Sequence, residues 1–156
     1  MQSTRNTIRT PRQRNRRGSA AVECAIVAPL LTLIVLGAID VGQYANVHQK
    51  VSDASRAGAR FAARSGTQNT AAVQSAVRSY LQDVSGGPSS TLASGAQITV
   101  TNGSGNPVPS GDLQQYATGS PLKVTVQVQY DPVRWIDGIK GLDGKSISAT
   151  TTMRRE

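Results

Sequence analysis

The alternation of apolar and polar positions changes period three times along the chain. Residues 19–39, SAAVECAIVAPLLTLIVLGAI, are free of charge except at Glu23. As a helix these 21 residues would be about 31 Å long at ~1.5 Å per residue, which matches the ~30 Å hydrocarbon thickness of a bilayer. The pattern then becomes amphipathic. Val41, Tyr44, Val47 or His48, Val51, Ala54, Gly58 and Phe61 recur at spacings of three and four. One continuous helix is therefore predicted from about Ala20 to Arg64, ended by Ser65-Gly66. It would be ~65 Å long, with about half in lipid and half outside.

A second helix is predicted where Ala72, Val73, Ala76, Val77, Tyr80, Leu81 and Val84 share one face, with Thr70 as N-cap and Gly86-Gly87-Pro88 as the stop. Period two follows. AQITVT is a strand, and Asn102-Gly103 invites a turn. NGSGNPVPSGDLQQYATGSP is polar and rich in Gly and Pro, the composition of a long surface loop. In LKVTVQVQY, Leu122, Val124, Val126 and Val128 face one way while Lys123, Thr125, Gln127 and Gln129 face the other. DPVRWIDGIKGLDGK reads as an irregular connection with Trp135, Ile136, Ile139 and Leu142 tucked under it, and SISATTTMRR as a closing strand.

No helical crossover separates these strands, so the sheet is expected to be antiparallel, with one face on helices and one to water. The fold class is α+β. The expected organisation is a basic cytoplasmic leader (1–18), a transmembrane helix (19–39), its continuation (40–66) and an extracytoplasmic α+β domain (67–156).

Charge fixes an orientation. Arg5, Arg9, Arg12, Arg14, Arg16 and Arg17 precede Gly18 with no acid among them, whereas the chain from Asp40 onward holds 11 basic and 8 acidic side chains. The net charge of +8 is thus mostly a basic tail on a balanced body. Balance in the body argues against nucleic-acid binding by the whole protein. Arginines directly before an apolar run hold that end in the cytoplasm, so the N-terminus is expected inside and the body outside. A cleaved secretory signal fits poorly, because the apolar core is long and its exit, Leu36-Gly37-Ala38-Ile39-Asp40, lacks a small-x-small site. A twin-arginine signal is disfavoured by Gly18-Ser19-Ala20 after Arg16-Arg17. Gly37 and Gly42 lack the spacing of a GxxxG dimer motif. Pro29 falls mid-helix, where it removes one backbone donor and is expected to kink the helix.

Chemistry of the catalytic kind is missing from the sequence. The single cysteine, Cys24, permits no disulfide within the chain and reads as a small apolar residue. His48 stands without catalytic company. No His or Cys cluster offers a metal site, no glycine-rich loop precedes a helix for phosphate, and DGIKGLDGK lacks the alternating oxygen ligands and terminal Glu of a calcium loop. No enzyme activity, cofactor or metal is expected.

Glu23 needs an explanation, since a carboxylate near the bilayer centre costs ~2.5 kcal/mol or more, and less near an end. On one reading it snorkels to the headgroups and meets Arg16 or Arg17. On the other, the chain is cut between Gly18 and Ser19. Glu23 then becomes the fifth residue, a helical turn from a new amine, and a neighbouring subunit's amine could pair with it and set an assembly register.

A basic leader, Gly before a cut, Glu five residues on and an apolar helix resemble a type IV prepilin. RRGSAAVECAIVAPLLTLIVLGAIDVGQ is similar, more narrowly, to the TadE family, pseudopilins of tight-adherence pili, through Gly18, Ala20, Val22, Glu23, Ala25, Pro29, Asp40, Val41 and Gly42. Cys24 stands where the family has an aromatic. A second family block, A-x-x-A-R-x-G-A-R, resembles DASRAGARFAARSG, with Ser55 breaking the first pair.

The resemblance covers roughly residues 16–66. It implies a minor pilin-like subunit of the bacterial inner membrane, processed by a prepilin peptidase, acting with other pilins, the Tad secretion machinery and membrane lipid, and able to enter a surface pilus. Asp40, Arg56, Gly58, Arg60 and Arg64 are the expected subunit-interface positions. Arg56, Arg60 and Arg64 form one stripe, suited to solvent or to an acidic patch on a partner. The small residues Ala54, Ala57, Gly58, Ala59, Ala62 and Ala63 suit close approach, either of a second subunit or of the protein's own sheet. The competing functions are an uncleaved single-pass anchor displaying a binding module, and nucleic-acid binding by the arginine tail.

Overall fold

The computed structural model describes residues 16–85, 91–108, 111–130 and 144–156. Its elements are helices α1 (Arg16–Ala63), α2 (Thr70–Val84) and α3 (Thr91–Ser94), and strands β1 (Gln97–Asn102), β2 (Pro121–Gln129) and β3 (Ser146–Arg154). The three strands form one antiparallel sheet in the order β1-β2-β3. The protein is α+β, with a long N-terminal helix, a second amphipathic helix and a three-stranded sheet.

The chain divides into two units, one ending at Ala38 and the other running from Ile39 to Glu156. In the first, α1 is helical through Pro29, and Thr32 returns its hydroxyl to the Ala28 carbonyl at 2.8 Å, one turn back. Its apolar side chains point outward all round, from Val22 and Ile26 to Ile34 and Val35, with Ile26 71% exposed. A helix with no polar face is made for a medium other than water.

The second unit has the usual logic of a sheet with one dry face. Alternation in β2 sends Leu122, Val124, Val126 and Val128 inward, joined by Ile98 and Val100 of β1 and Ile147 of β3. Val47, Val51, Ala54, Ala59 and Ala62 of α1 and Val73, Val77 and Leu81 of α2 join the same core. Each fully buried Val or Leu contributes about 1.5–3 kcal/mol. The opposite sheet face is polar: Thr99, Thr125 and Thr150 lie side by side in register, and the Thr125 and Thr150 hydroxyls are 2.9 Å apart.

Small residues let α1 lie this close. Gly58 faces both α2 and β2. A Cβ there would overlap Val77 Cγ2 and stand 3.2 Å from Val124 Cγ1. Three residues earlier, on the side of α1 that also meets Val124, Ser55 is fully buried; its hydroxyl donates to the Val124 carbonyl at 3.0 Å and stands 3.0 Å from the Thr151 hydroxyl. An alanine would fit the same space, and the serine adds a polar tie from α1 to the sheet.

Two expectations are corrected, and one element is new. The N-cap of α2 is Asn69, not Thr70: Asn69 is extended (φ −142°, ψ 160°) and its side chain accepts from the Ala72 amide at 2.8 Å. Both residue types cap well, and an isolated bridge to Asp112 joins Asn69 to the 111–113 segment, leaving Thr70 as the first helical residue. The segment after β1 is more than a surface loop. Val108 and Leu113 are buried, Pro107 bridges Thr101, and the Leu113 amide donates to the Gln68 carbonyl at 2.9 Å. The short helix α3, which buries Leu92 and Ala93, has no periodicity long enough to announce it. Trp135, Ile136, Ile139 and Leu142, and the connection they belong to, lie outside the described residues.

Gly58→Ala is expected to lower the stability of the second unit by about 1–3 kcal/mol despite alanine's better helix propensity, because the new methyl overlaps Val77. Val77→Ala made in the same chain should recover part of that loss. Urea midpoints of the two single variants and the double variant measure it; additive losses would contradict the contact.

Candidate functional site

The chemistry-bearing residues fall into two groups, one in each unit. In the first, Gly18 is exposed and a Cβ built on it meets nothing within 4 Å. The Gly18–Ser19 bond lies in the first turn of α1, where the leading amides have no intrahelical acceptor. Glycine is poor in helices by about 1 kcal/mol, and arginines oppose the positive end of the helix dipole, so this turn is the easiest part of α1 to open. Glu23 is exposed one turn on, and the Ser19 hydroxyl donates to its Oε1 at 3.3 Å. Cys24, beside it, is also exposed. Arg12 and Arg14 lie outside the described residues.

The second group begins at Asp40. Although charged, it is only 4% exposed. The Tyr130 hydroxyl stands 3.2 Å from both the Asp40 carboxylate and the Asp40 main-chain carbonyl. Tyr130 is itself fully buried, and Tyr44, one turn beyond Asp40, packs edge-on against its ring at 5.2 Å with the planes 79° apart. A buried carboxylate is costly unless bonded, so this arrangement ties the first turn of α1 in the second unit to the end of β2. The sequence held half of the signal: Tyr130 continues the inward series 122, 124, 126, 128. Nothing in it paired Tyr130 with Asp40, ninety residues away.

Of the expected interface positions, Arg56, Arg60 and Arg64 are exposed. Arg56 meets Asp53 at 3.3 Å, a surface pair of small worth, and Arg64 stacks over Phe61 at 5.8 Å. Asp40 and Gly58 are inside the protein's own second unit, so within this single chain neither presents a surface to a neighbour. Of the alanines around Gly58, Ala54, Ala59 and Ala62 belong to the protein's own core and Ala63 is buried, while Ala57 is half-buried.

Arg155 was not singled out in the sequence. It is 7% exposed, and its guanidinium donates to three backbone carbonyls, those of Leu113, Ser65 and Thr67, the last two at 3.4 Å. Two of these follow the C-terminus of α1, where a cation also complements the helix dipole. Glu156 adds a main-chain bond to the Ala63 carbonyl at 2.8 Å. Among the described residues no cluster of His, Cys, Asp or Glu could hold a metal. An open hollow lined by Gln68, Asn69, Gly111, Asp112 and Gln114 is polar, and its Asp112 Oδ1 already accepts from the Gln114 amide at 2.8 Å.

Residues 18–60 match the family model described as TadE-like protein. No curated protein and no solved structure matches the chain. The match begins at the glycine of the candidate cut and ends on α1 at Arg60, so it covers the helix and leaves α2 and the sheet outside it. The matched family is a structural one related to tight-adherence pili, and the similarity to it is confined to these residues. Among the described residues one helix is long and apolar enough to cross a membrane.

Tyr130→Phe, which keeps the ring and removes the hydroxyl, is expected to cost the second unit about 1–2 kcal/mol. Equilibrium denaturation followed by tryptophan or tyrosine fluorescence measures this. An unchanged midpoint would mean that the hydroxyl adds nothing to the other interactions holding Asp40.

Proposed function

We propose that the chain is a minor pilin-like subunit of a tight-adherence pilus, cut by a prepilin peptidase between Gly18 and Ser19, and acting in pilus assembly and surface adherence. The observation that carries this reading is the combination at the start of α1. An outward-facing apolar helix begins with Gly18, Ser19 and Glu23 behind an arginine-rich stretch, and this same segment matches the TadE-like family.

Each residue has a physical task on this reading. Arg12, Arg14, Arg16 and Arg17 keep the leader in the cytoplasm, so the helix stands in the inner membrane with the body outside. Gly18 gives the peptidase an uncrowded, easily opened peptide. Hydrolysis there leaves a free amine on Ser19, one turn from Glu23. In lipid each charge is costly alone, and the amine of a neighbouring subunit relieves Glu23 while fixing the stagger between helices. Pro29 frees the Ala25 carbonyl and allows the helix to bend as it leaves the bilayer. The exposed stripe Arg56, Arg60 and Arg64 offers positive charge to an acidic surface on another pilin or on the Tad secretion machinery. A second reading, the uncleaved anchor, is supported by the second unit having a core of its own.

The two readings differ in their response to mutation. Gly18→Val is expected to leave residues 1–18 attached and to exclude the chain from fibres. Glu23→Ala is expected to ease membrane insertion and permit cleavage, yet lower sheared-fibre content by about tenfold or more, the effect of losing ~1.4 kcal/mol per subunit contact. Leader removal and fibre yield, measured for both variants beside wild type, separate the two: an uncleaved anchor is indifferent to both changes.

A further inference from the structure

The two edges of the sheet are treated differently. Register places the outward backbone groups of β1 on Ile98, Val100 and Asn102, since Thr99 and Thr101 face β2. All three of these residues are occupied by the protein itself. Gln74 Nε2 donates to the Ile98 carbonyl at 3.2 Å, the Val108 amide donates to the Val100 carbonyl at 3.4 Å, and the Asn102 amide donates to the Asn106 carbonyl at 2.9 Å. The turn that delivers Asn106 closes through Gly105 at φ +86°, a conformation that favours glycine.

Among the described residues strand β3 carries no such cover. It runs nine residues without proline, and its outward backbone groups belong to Ser146, Ser148, Thr150, Thr152 and Arg154. Among the described residues none bonds to them. On the inner face, Ala149 and Met153 are only partly buried against the core. An open, regular edge of this length is a template for another strand, and proteins normally blunt such edges. Here one edge is blunted three times over, and the other is bare among the described residues.

We propose that β3 receives a strand from a different subunit anchored in the same membrane, with alternating apolar residues that complete the cover over Ala149 and Met153 and with acidic residues at its ends. This rests on the pilin reading above. A second copy is ruled out as the occupant by charge: β3 paired with β3 in either sense sets the exposed Lys145 and Arg154 of one copy against the same basic residues of the other. Within the second unit α1 runs alongside β3 in the same sense: Asp40 and Tyr44 lie by Tyr130, whose amide bonds to the Lys145 carbonyl, and Ala63 and Ser65 lie by Glu156 and Arg155.

Repetition of β3 onto β1 of the next copy would keep the helices in the same sense, but β1 is covered. The charges set the partner's chemistry: exposed Lys145 and Arg154 bracket the edge, with no acid between them.

The test places benzoylphenylalanine at Ser148, Thr150 or Thr152 of the full chain in the cell that makes it, with Thr99 on the covered strand as control. Expected is a light-dependent product with one other membrane-anchored chain from the three β3 positions and loss of that product at Thr99. The linked peptide is expected to be an extended alternating segment flanked by Asp or Glu. With the probe at Ser148, Thr150→Pro, which removes one outward amide, should abolish the product while Thr150→Ala retains it. If Thr150→Pro loses protease resistance, Ser148→Pro with the probe at Thr152 replaces it.

A product of twice the chain's own mass, no product, a linked peptide without that pattern, or a product that survives proline in a folded chain overturns the proposal. Leader removal is read on the same blot. An intact leader with the product present contradicts only the pilin reading, and a removed leader without the product contradicts only the strand-addition proposal.

Discussion

One helix has to satisfy two surroundings with a single ladder of backbone bonds. Up to Ala38, α1 turns apolar side chains outward in every direction; from Ile39 it belongs to a unit with a packed core. Asp40 is the first buried residue along α1 among those described, and it is a carboxylate. Its bonds to Tyr130 tie the first turn of α1 in the second unit to the end of β2, and the edge-on Tyr44 ring supports that tie from the next turn.

From that point the packing is a matter of close approach. Aromatics are only 4% of the chain, so the core is built from valine, leucine and alanine rather than from large rings. Small side chains bury little area each, and they compensate by proximity: Gly58 against Val77 and Val124, and Ser55 bonded to the sheet's central strand. At the far end Arg155 gathers the carbonyls that follow α1 and the one at Leu113. Hydrogen-bonding a buried guanidinium to three carbonyls reinforces the main-chain bonds that join these segments, Leu113 to Gln68 and Glu156 to Ala63.

The periodic features were legible and the long-range ones were not. The inward series in β2 and the helical spacing from Val41 to Phe61 predict their elements because burial on one face leaves a period in the sequence. The choice between Asn69 and Thr70 as cap depends on which backbone turns extended, and two good capping residues in a row conceal it. Leu113 sits among polar residues, so composition assigns it to a loop, although its burial follows from the bonds that pin its neighbours. Ser55 looks like a lapse in an alanine pattern until Val124 is placed beside it. At the candidate site, Gly18, Glu23 and Asp40 stood out by chemistry alone, while Tyr130, Arg155 and the difference between the two sheet edges needed the fold.

The account's central claim is that α1 begins its working life at Ser19, with a free amine one turn from Glu23. Mass spectrometry of the N-terminal peptide of the protein recovered from membranes tests this most directly. The account predicts a peptide beginning at Ser19, with residues 1–18 gone. A peptide that still carries Arg12, Arg14, Arg16 and Arg17 ahead of Gly18 would contradict it.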